Sequence, residues 1–318
     1  MTLAPAEKLR QPAGIFIIFP LSSRYCNFAA NFSGNMPQVL SHRQLADIAT
    51  AFGTPVYVYH AERITEQYNL LKEAFREVNA TFFYACKALT NINILKHIKS
   101  IGCNADCSSV NEVLLAVVAG FPPENILYTS SNISFAEIEA AEELGVHINI
   151  DSLSNLEKFG RKYGHSYPVG IRLRPNIMAG GNLKISTGHN KSKFGIPLED
   201  IDKVLALMQE TNLHIRTLHI HTGSEIKDVE VFAKGIEVLF SLVNHFPDLK
   251  VVDLGGGFKV PYAPGEEGTD IKALGAKVAE EFSSFEKQFG RKLEVWFEPG
   301  KFLVSEAGYL ITSVNVLK

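Results

Sequence analysis

Residues 82–91 read FFYACKALTN, a short apolar run that ends on a lysine and passes into a helical pattern starting near Asn91. Phe82 to Ala85 read as a buried strand, and Lys87 falls where that strand stops. Outward from this unit the same design repeats. Apolar runs at 81–85 (TFFYA), 103–106 (CNAD), 126–130 (ILYTS), 146–150 (VHINI), 168–174 (PVGIRLR), 214–220 (HIRTLHI), 250–254 (KVVDL) and 293–297 (LEVWF) alternate with amphipathic stretches. Ser108 or Ser109 is expected to cap the stretch SSVNEVLLAVVAG, with Glu112 in the capping turn and Leu114, Val117 and Val118 on its apolar side. Ser134 and Glu137 form a second capping pattern in a helix that ends at Gly145. Eight strand–helix repeats predict an α/β fold, a (β/α)8 TIM barrel, with a doubly wound open sheet as the second choice.

The bulk numbers fit a globular chain: 318 residues, 46% hydrophobic, 20% charged, formal charge -3. A charge so near neutrality gives no electrostatic attraction to nucleic acid or to an anionic membrane. No run approaches the roughly 20 apolar residues of a membrane span. The four cysteines, Cys26, Cys86, Cys103 and Cys107, form no CxxC pair and have no zinc-like spacing to histidines, so no metal is implied. They read as small core residues in a reducing compartment, which places the chain in the cytoplasm. Residues 1–35 carry Lys8 and Arg10 ahead of GIFIIFPL, a run interrupted by Pro20. We read them as a disordered extension, or as sequence upstream of a start at Met36, in preference to a signal peptide.

A barrel demands that functional residues stand where strands end and βα loops begin. Lys87 follows the first strand, Asp106 closes the second, and Arg172 lies near the end of the fifth. After Arg172 comes a 23-residue loop, 175–197, of a length that is uncommon unless functional or disordered. The last three strands run into HIHTGSE (219–225), DLGGGF (253–258) and EPGK (298–301). A lysine in a low-dielectric mouth is expected to lose its proton easily and to form a Schiff base; a surface lysine is the plain alternative. Gly255, Gly256 and Gly257 would let backbone N–H groups approach an anion, although a tight turn also explains them, and Ser224 can add a hydroxyl. His219 and His221 are expected on opposite sides of their strand, His221 toward the mouth to stack on a flat ring and His219 in the core. A carboxylate at Glu298 would keep a pyridine nitrogen protonated. An aldehyde trap, a phosphate cradle, a stacking ring and a pyridinium partner together point to pyridoxal 5'-phosphate.

With these residues placed, the chain from about Thr54 to Lys318 resembles the PLP-dependent decarboxylases with an alanine-racemase-like barrel, the diaminopimelate decarboxylases above all. FYACKA, ADCSSVNE, STGHNKSKFGI, HIHTGS, DLGGGF and EPGKFLV carry the resemblance, in order. It implies that Lys87 bears the cofactor, that His221 stacks on it, that Ser224 and Gly255 to Gly257 hold the phosphate, and that Glu298 pairs with the ring nitrogen. Asp106, Glu112 and Arg172 match positions that shape the pocket behind the ring. Pro299, Gly300 and Lys301 complete the last motif, and many members carry arginine where this chain has Lys301. The loop from STG to KFG favours diaminopimelate over ornithine or arginine as substrate. The reaction implied is decarboxylation of meso-2,6-diaminopimelate to L-lysine, a step of lysine biosynthesis. The family continues beyond its barrel into a β-domain that supplies a cysteine, substrate contacts and much of a homodimer interface. The expected organisation is therefore an extension over 1–35, a PLP-binding barrel over 36–301, and over 302–318 the first strand region of a truncated β-domain, with activity impaired. A decarboxylase of another basic amino acid or a carboxylated polyamine, a racemase, and a barrel without activity are the competing readings. EPGK opposes the racemase, because racemases of this fold avoid a strongly protonated pyridine nitrogen.

Overall fold

A computed structural model of the chain describes residues 15–18, 40–179, 187–189, 192–263 and 265–317. In chain order its main elements are β1 (Ile15–Ile18), α1 (His42–Phe52), β2 (Val56–His60), α2 (Ala61–Ala74), β3 (Ala80–Ala85), α3 (Ile92–Ser100), β4 (Asn104–Cys107) and α4 (Val110–Ala119). There follow β5 (Ile126–Thr129), α5 (Phe135–Glu143), β6 (His147–Ile150), α6 (Leu153–Tyr163), β7 (Val169–Arg174), the two-residue β8 (Ile196–Pro197) and α7 (Ile201–Thr211). The last are β9 (Ile215–Ile220), α8 (Val229–Leu242), β10 (Val251–Asp253), α9 (Ile271–Phe289), β11 (Glu294–Phe297), α10 (Lys301–Val304) and β12 (Gly308–Ile311).

All eight predicted strands are present, and they close. Parallel pairing runs β3–β4–β5–β6–β7–β9–β10–β11 and returns to β3, where Phe297 is the register partner of Phe82. Alternation explains what fills the barrel. Phe83, Leu127, Val251 and Trp296 form a small buried cluster separate from the main core. They share parity along their strands with Lys87, Thr129, Asp253 and Glu298, so they plug the barrel beneath a polar layer at its mouth. The larger core lies between the strands and the helices, with Tyr84, Ile94, Leu95, Tyr128 and Phe159 among its fully buried side chains.

Two features depart from a strict strand–helix alternation. The helix after β11, α10, is a single turn of four residues. The eighth helical position is filled instead by α2, which precedes β3 and packs between α9 and α3. The close seam of this packing is at Gly275, where a Cβ would lie 2.0 Å from the Ala74 carbonyl oxygen. In α4 the expected face is also wrong. Val113, Ala116 and Ala119 are buried, whereas Leu114, Val117 and Val118 are exposed. A helix apolar almost all round carries no readable stripe, and the two alanines let it approach β4 and β5. The caps fare better: Ser109 accepts from the Glu112 amide, and Ser134 with Glu137 makes a full capping box.

A second, three-stranded sheet stands apart from the barrel, in the order β1–β2–β12 with antiparallel pairing. Leu40, Ile48, Val56 and Val58 form its core, covered by α1. The expectation of a disordered extension over 1–35 lies outside the described residues, except at Ile15–Ile18, which depart from it by pairing with β2. Among the described residues no helix is long and apolar enough to cross a membrane.

Candidate active site

Every barrel-rim residue singled out in the sequence comes to one end of the barrel. Lys87 lies in the 3-10 turn that follows β3, and its Nζ donates to Asp106 Oδ2 at 3.2 Å. Asp106 is buried in β4, while 56% of the Lys87 side chain is accessible from the mouth. This corrects the expected acidity of the lysine. The Asp106 carboxylate outweighs the cost of burial and holds the Lys87 ammonium above the ordinary lysine range, so the charged form is favoured rather than disfavoured. The same contact makes Asp106 the nearest acceptor when that proton leaves. Burial in turn raises the Asp106 carboxyl, and the neighbouring Lys87 opposes the rise.

The EPG turn brings Glu298 to this pair. The Ala85 amide donates to the Pro299 carbonyl at 3.2 Å, and the Glu298 amide donates to the Gly255 carbonyl at 2.8 Å. A side chain at Gly300 would crowd Ala85 and Ala88, at 3.1 and 3.2 Å. Glu298 is buried, and its carboxyl is raised well above the usual range by that burial and by the carboxylates of Asp106 and Asp253.

The histidines are not separated as expected. Residues i and i+2 of a strand share a face, and both His219 and His221 meet the fields of Arg172 and Lys87. His219 is fully buried, with Nε2 3.5 Å from Glu298 Oε1. His221 sits just beyond β9, where its Nδ1 accepts from the Gly256 amide at 3.3 Å. Burial keeps both imidazoles neutral, well below their ordinary pKa.

The glycines are placed by close approach. A Cβ at Gly256 would meet the Glu298 carbonyl oxygen at 2.2 Å, and one at Gly257, where φ is +97°, would meet the Gly223 carbonyl oxygen at 2.0 Å. The Ile226 amide donates to the Gly257 carbonyl at 2.9 Å, which sets half-buried Ser224 beside the glycine loop. Two of the three glycine amides are already engaged: Gly255 donates to Asp253 Oδ1 at 2.9 Å and Gly256 to His221. They shape the cradle rather than donate from it.

Arg172 is buried in β7 with its guanidinium 5.0 Å from the Phe194 ring centroid, and burial lowers its pKa against the pull of Glu298, Asp151, Asp106 and Asp253. Glu112 is spent locally, accepting from the Ser108 amide and hydroxyl at 2.7 and 2.9 Å. Lys301 is bonded to Glu225 and lies 5.7 Å from the Tyr262 ring centroid. The loop read as favouring diaminopimelate is described only in part; its Thr187 and Gly188 amides both donate to the Thr222 carbonyl, at 3.1 and 3.0 Å. Asp253 also lies in the cluster with His219 and Glu298, although the sequence reading does not single it out. It ends β10, wholly buried beside His219, and the signal for it was available, since an aspartate closing an apolar strand needs a partner.

Residues 61–305 match the profile of the pyridoxal-dependent decarboxylases, pyridoxal binding domain. The chain belongs to that family. Among curated relatives, the diaminopimelate decarboxylase of Methanothermobacter thermautotrophicus is 33% identical over 280 residues, covering 86% of this chain and 65% of the relative. The diaminopimelate decarboxylase of Escherichia coli K12 is 31% identical, covering 88% of this chain and 66% of the relative. This chain thus spans just under two thirds of the length of these relatives. Among solved structures, the diaminopimelate decarboxylase of Helicobacter pylori complexed with L-lysine superposes with a TM-score of 0.75 at 29% identity, over 83% of this chain and 68% of that one. The lysine/ornithine decarboxylase of Vibrio vulnificus complexed with putrescine gives 0.70 at 26%, over 85% and 70%.

The family's cofactor, pyridoxal phosphate, fits the side chains present. Asp106 Oδ1, Asp253 Oδ2, Glu298 Oε1 and both ring nitrogens of His219 are buried without a hydrogen-bond partner. Unsatisfied polar atoms so concentrated at a barrel mouth call for a polar ligand, and the amine of Lys87 stands above them.

Proposed function

We propose that this chain is the barrel of a carboxy-lyase that decarboxylates meso-2,6-diaminopimelate to L-lysine and carbon dioxide with pyridoxal 5'-phosphate. The observation that carries the reading is the Lys87–Asp106 contact on the same inward face as Glu298, above a buried layer of unpartnered polar atoms. The relatives' names and the L-lysine in the Helicobacter pylori structure support the substrate.

Lys87 would hold the cofactor aldehyde, with Asp106 taking up the ammonium proton. The neutral imidazole of His221, fixed in plane by the Gly256 amide, would lie against the ring face. Ser224 and the loop Gly255 to Gly257 would bound the phosphate, and Glu298 would meet the ring nitrogen. When bound, the cofactor supplies an electron sink for the pair left as the carboxylate departs. Buried Arg172, whose charge faces Glu298, Asp151 and Asp106, would add a fixed positive charge to the pocket that holds the cofactor. Lys301, which closes the same rim, is paired with Glu225. We place the PLP-binding barrel within 36–301, from α2 onward, with β12 of 302–318 joining the separate sheet of β1 and β2, and propose that the chain acts in a cytoplasmic homodimer. Likeness to the Vibrio vulnificus enzyme favours a second reading, in which another basic amino acid is the substrate.

The test is to incubate the chain with pyridoxal phosphate, reduce with borohydride and map the labelled peptide. A pyridoxyl group on Lys87 is expected. A label confined to surface lysines would overturn the assignment, and carbon dioxide release from ornithine or lysine in preference to diaminopimelate would turn the substrate to the second reading.

A further inference from the structure

The loop from β7 to α7 is tied to the barrel on two sides. Toward β9, the Thr187 hydroxyl donates to the His221 carbonyl at 2.8 Å, and the Thr187 and Gly188 amides donate to the Thr222 carbonyl. Toward β7, Arg174 Nη1 donates to the Ser192 carbonyl at 3.0 Å, and the Ser192 hydroxyl accepts from the Phe194 amide at 3.2 Å. Ile196 and Pro197 of β8 then pair with Leu173 and Arg174. Gly195 allows this approach: φ there is +78°, and a Cβ would lie 2.8 Å from the Leu173 carbonyl carbon. These ties bring Phe194 over the Arg172 guanidinium, with Cζ 5.0 Å from the ring centroid.

Arg172 is only 9% exposed, yet among the described residues none of its N–H donors makes a hydrogen bond or an ion pair. The carboxylates of Glu298, Asp151, Asp106 and Asp253 nevertheless draw on its charge from around the pocket. A bidentate pair with any of them would use the edge of the guanidinium that a ligand needs. A ring uses the weakly hydrated face instead. The stack therefore fixes the plane of the cation and leaves its donors open to the pocket. Lys193 Nζ also lies near this ring, 5.2 Å from the centroid, but its side chain is exposed, so the buried cation gains more from the contact.

We propose that Phe194 is a positioning residue, whose ring holds the Arg172 guanidinium off the surrounding carboxylates and turned toward the cofactor. Through Arg172, the loop read as favouring diaminopimelate also sets how tightly the cofactor is held. The inference rests on the pyridoxal phosphate reading above.

The test uses the whole chain with 15N-labelled arginine, the Arg172 side-chain signal being the one lost in Arg172→Lys. In the unloaded parent its Nε–H resonance should be displaced upfield by the ring. It should return to the ordinary arginine position in Phe194→Leu and be displaced again in Phe194→Tyr. By titration of visible absorbance, Phe194→Leu should bind pyridoxal phosphate roughly tenfold more weakly than the parent, the loss expected for one desolvated cation–ring contact, whereas Phe194→Tyr should stay within about twofold. Arg172→Lys, whose ammonium is no planar fork, should weaken binding as well, and adding Phe194→Leu to it should cost no more. A ring that merely fills space would give additive losses. An ordinary Arg172 resonance in the parent, unchanged affinity in Phe194→Leu, or additive losses in the double variant would each overturn the proposal. Should Phe194→Leu not fold, the parent and Phe194→Tyr decide, and an ordinary Arg172 resonance in either overturns it. If no pyridoxyl group reaches Lys87, the cofactor reading falls, and the resonances of the unloaded chain then judge the contact of Phe194 with Arg172 by themselves.

Discussion

At Asp253, burial sets a carboxyl against its own charge, and the consequence reaches the stability of the chain. An aspartate titrates near 3.9 when unfolded, whereas here it is raised to about 7. Between those values the folded state binds more protons than the unfolded state, so stability falls as pH rises through the window. Below about pH 4 the group contributes nothing; above about pH 7 it costs the unloaded chain on the order of 4 kcal/mol. Glu298 is shifted in the same direction. We therefore expect the unloaded chain to melt at a higher temperature near pH 6 than near pH 8, with a shallower dependence in Asp253→Asn. Equal slopes in the two proteins would show that Asp253 is already ionised at pH 6. Single residues were read unevenly in the sequence. Lys87, Asp106, Arg172 and Glu298 were legible because polar residues at the ends of apolar strands have few explanations. Asp253 is masked in the sequence by the glycines that follow it, because a tight turn alone explains DLGGGF. The acidity of Lys87 was misjudged because burial is visible in a sequence, whereas a carboxylate at 3.2 Å from another strand is not.

Among the elements, strands were more legible than helices. A strand buried on both faces is a short apolar run wherever it occurs, so all eight were found within a residue or two of their ends. Helix faces need a contrast between sides, and VNEVLLAVVA offers little. Its burial is decided by fit: Ala116 and Ala119 suit the close approach to the sheet, which leaves Val118 71% exposed. Val118→Lys should accordingly change folding stability by no more than about 0.5 kcal/mol in denaturant titration. A loss of several kcal/mol would mean that this side of α4 is covered after all. The histidine pair shows the same limit from the other direction: strand parity puts both rings on one face, while the tilt that sets His221 against Gly256 is not written in the sequence.

At the scale of the molecule, closure of the barrel followed from counting repeats, but the identity of the eighth helix did not. Nothing in the sequence of α2 distinguishes a helix that follows a barrel strand from one that precedes it. The packing does, through the contact of Gly275 with the Ala74 carbonyl. Gly275→Ala places a methyl group where backbone stands, and we expect a cost of about 1–3 kcal/mol together with faster hydrogen exchange in α2 than in α5. Unchanged exchange in α2 would show that the seam can widen without loosening the helix. The same seam orders events at the ribosome. α2 emerges early, yet the helix that covers one of its flanks is finished about 200 residues later, roughly 10–40 s at 5–20 residues per second. Throughout that interval the nascent barrel is an open crescent with an uncovered apolar edge. Chaperone capture of this protein should therefore be concentrated in chains that have not yet released α9.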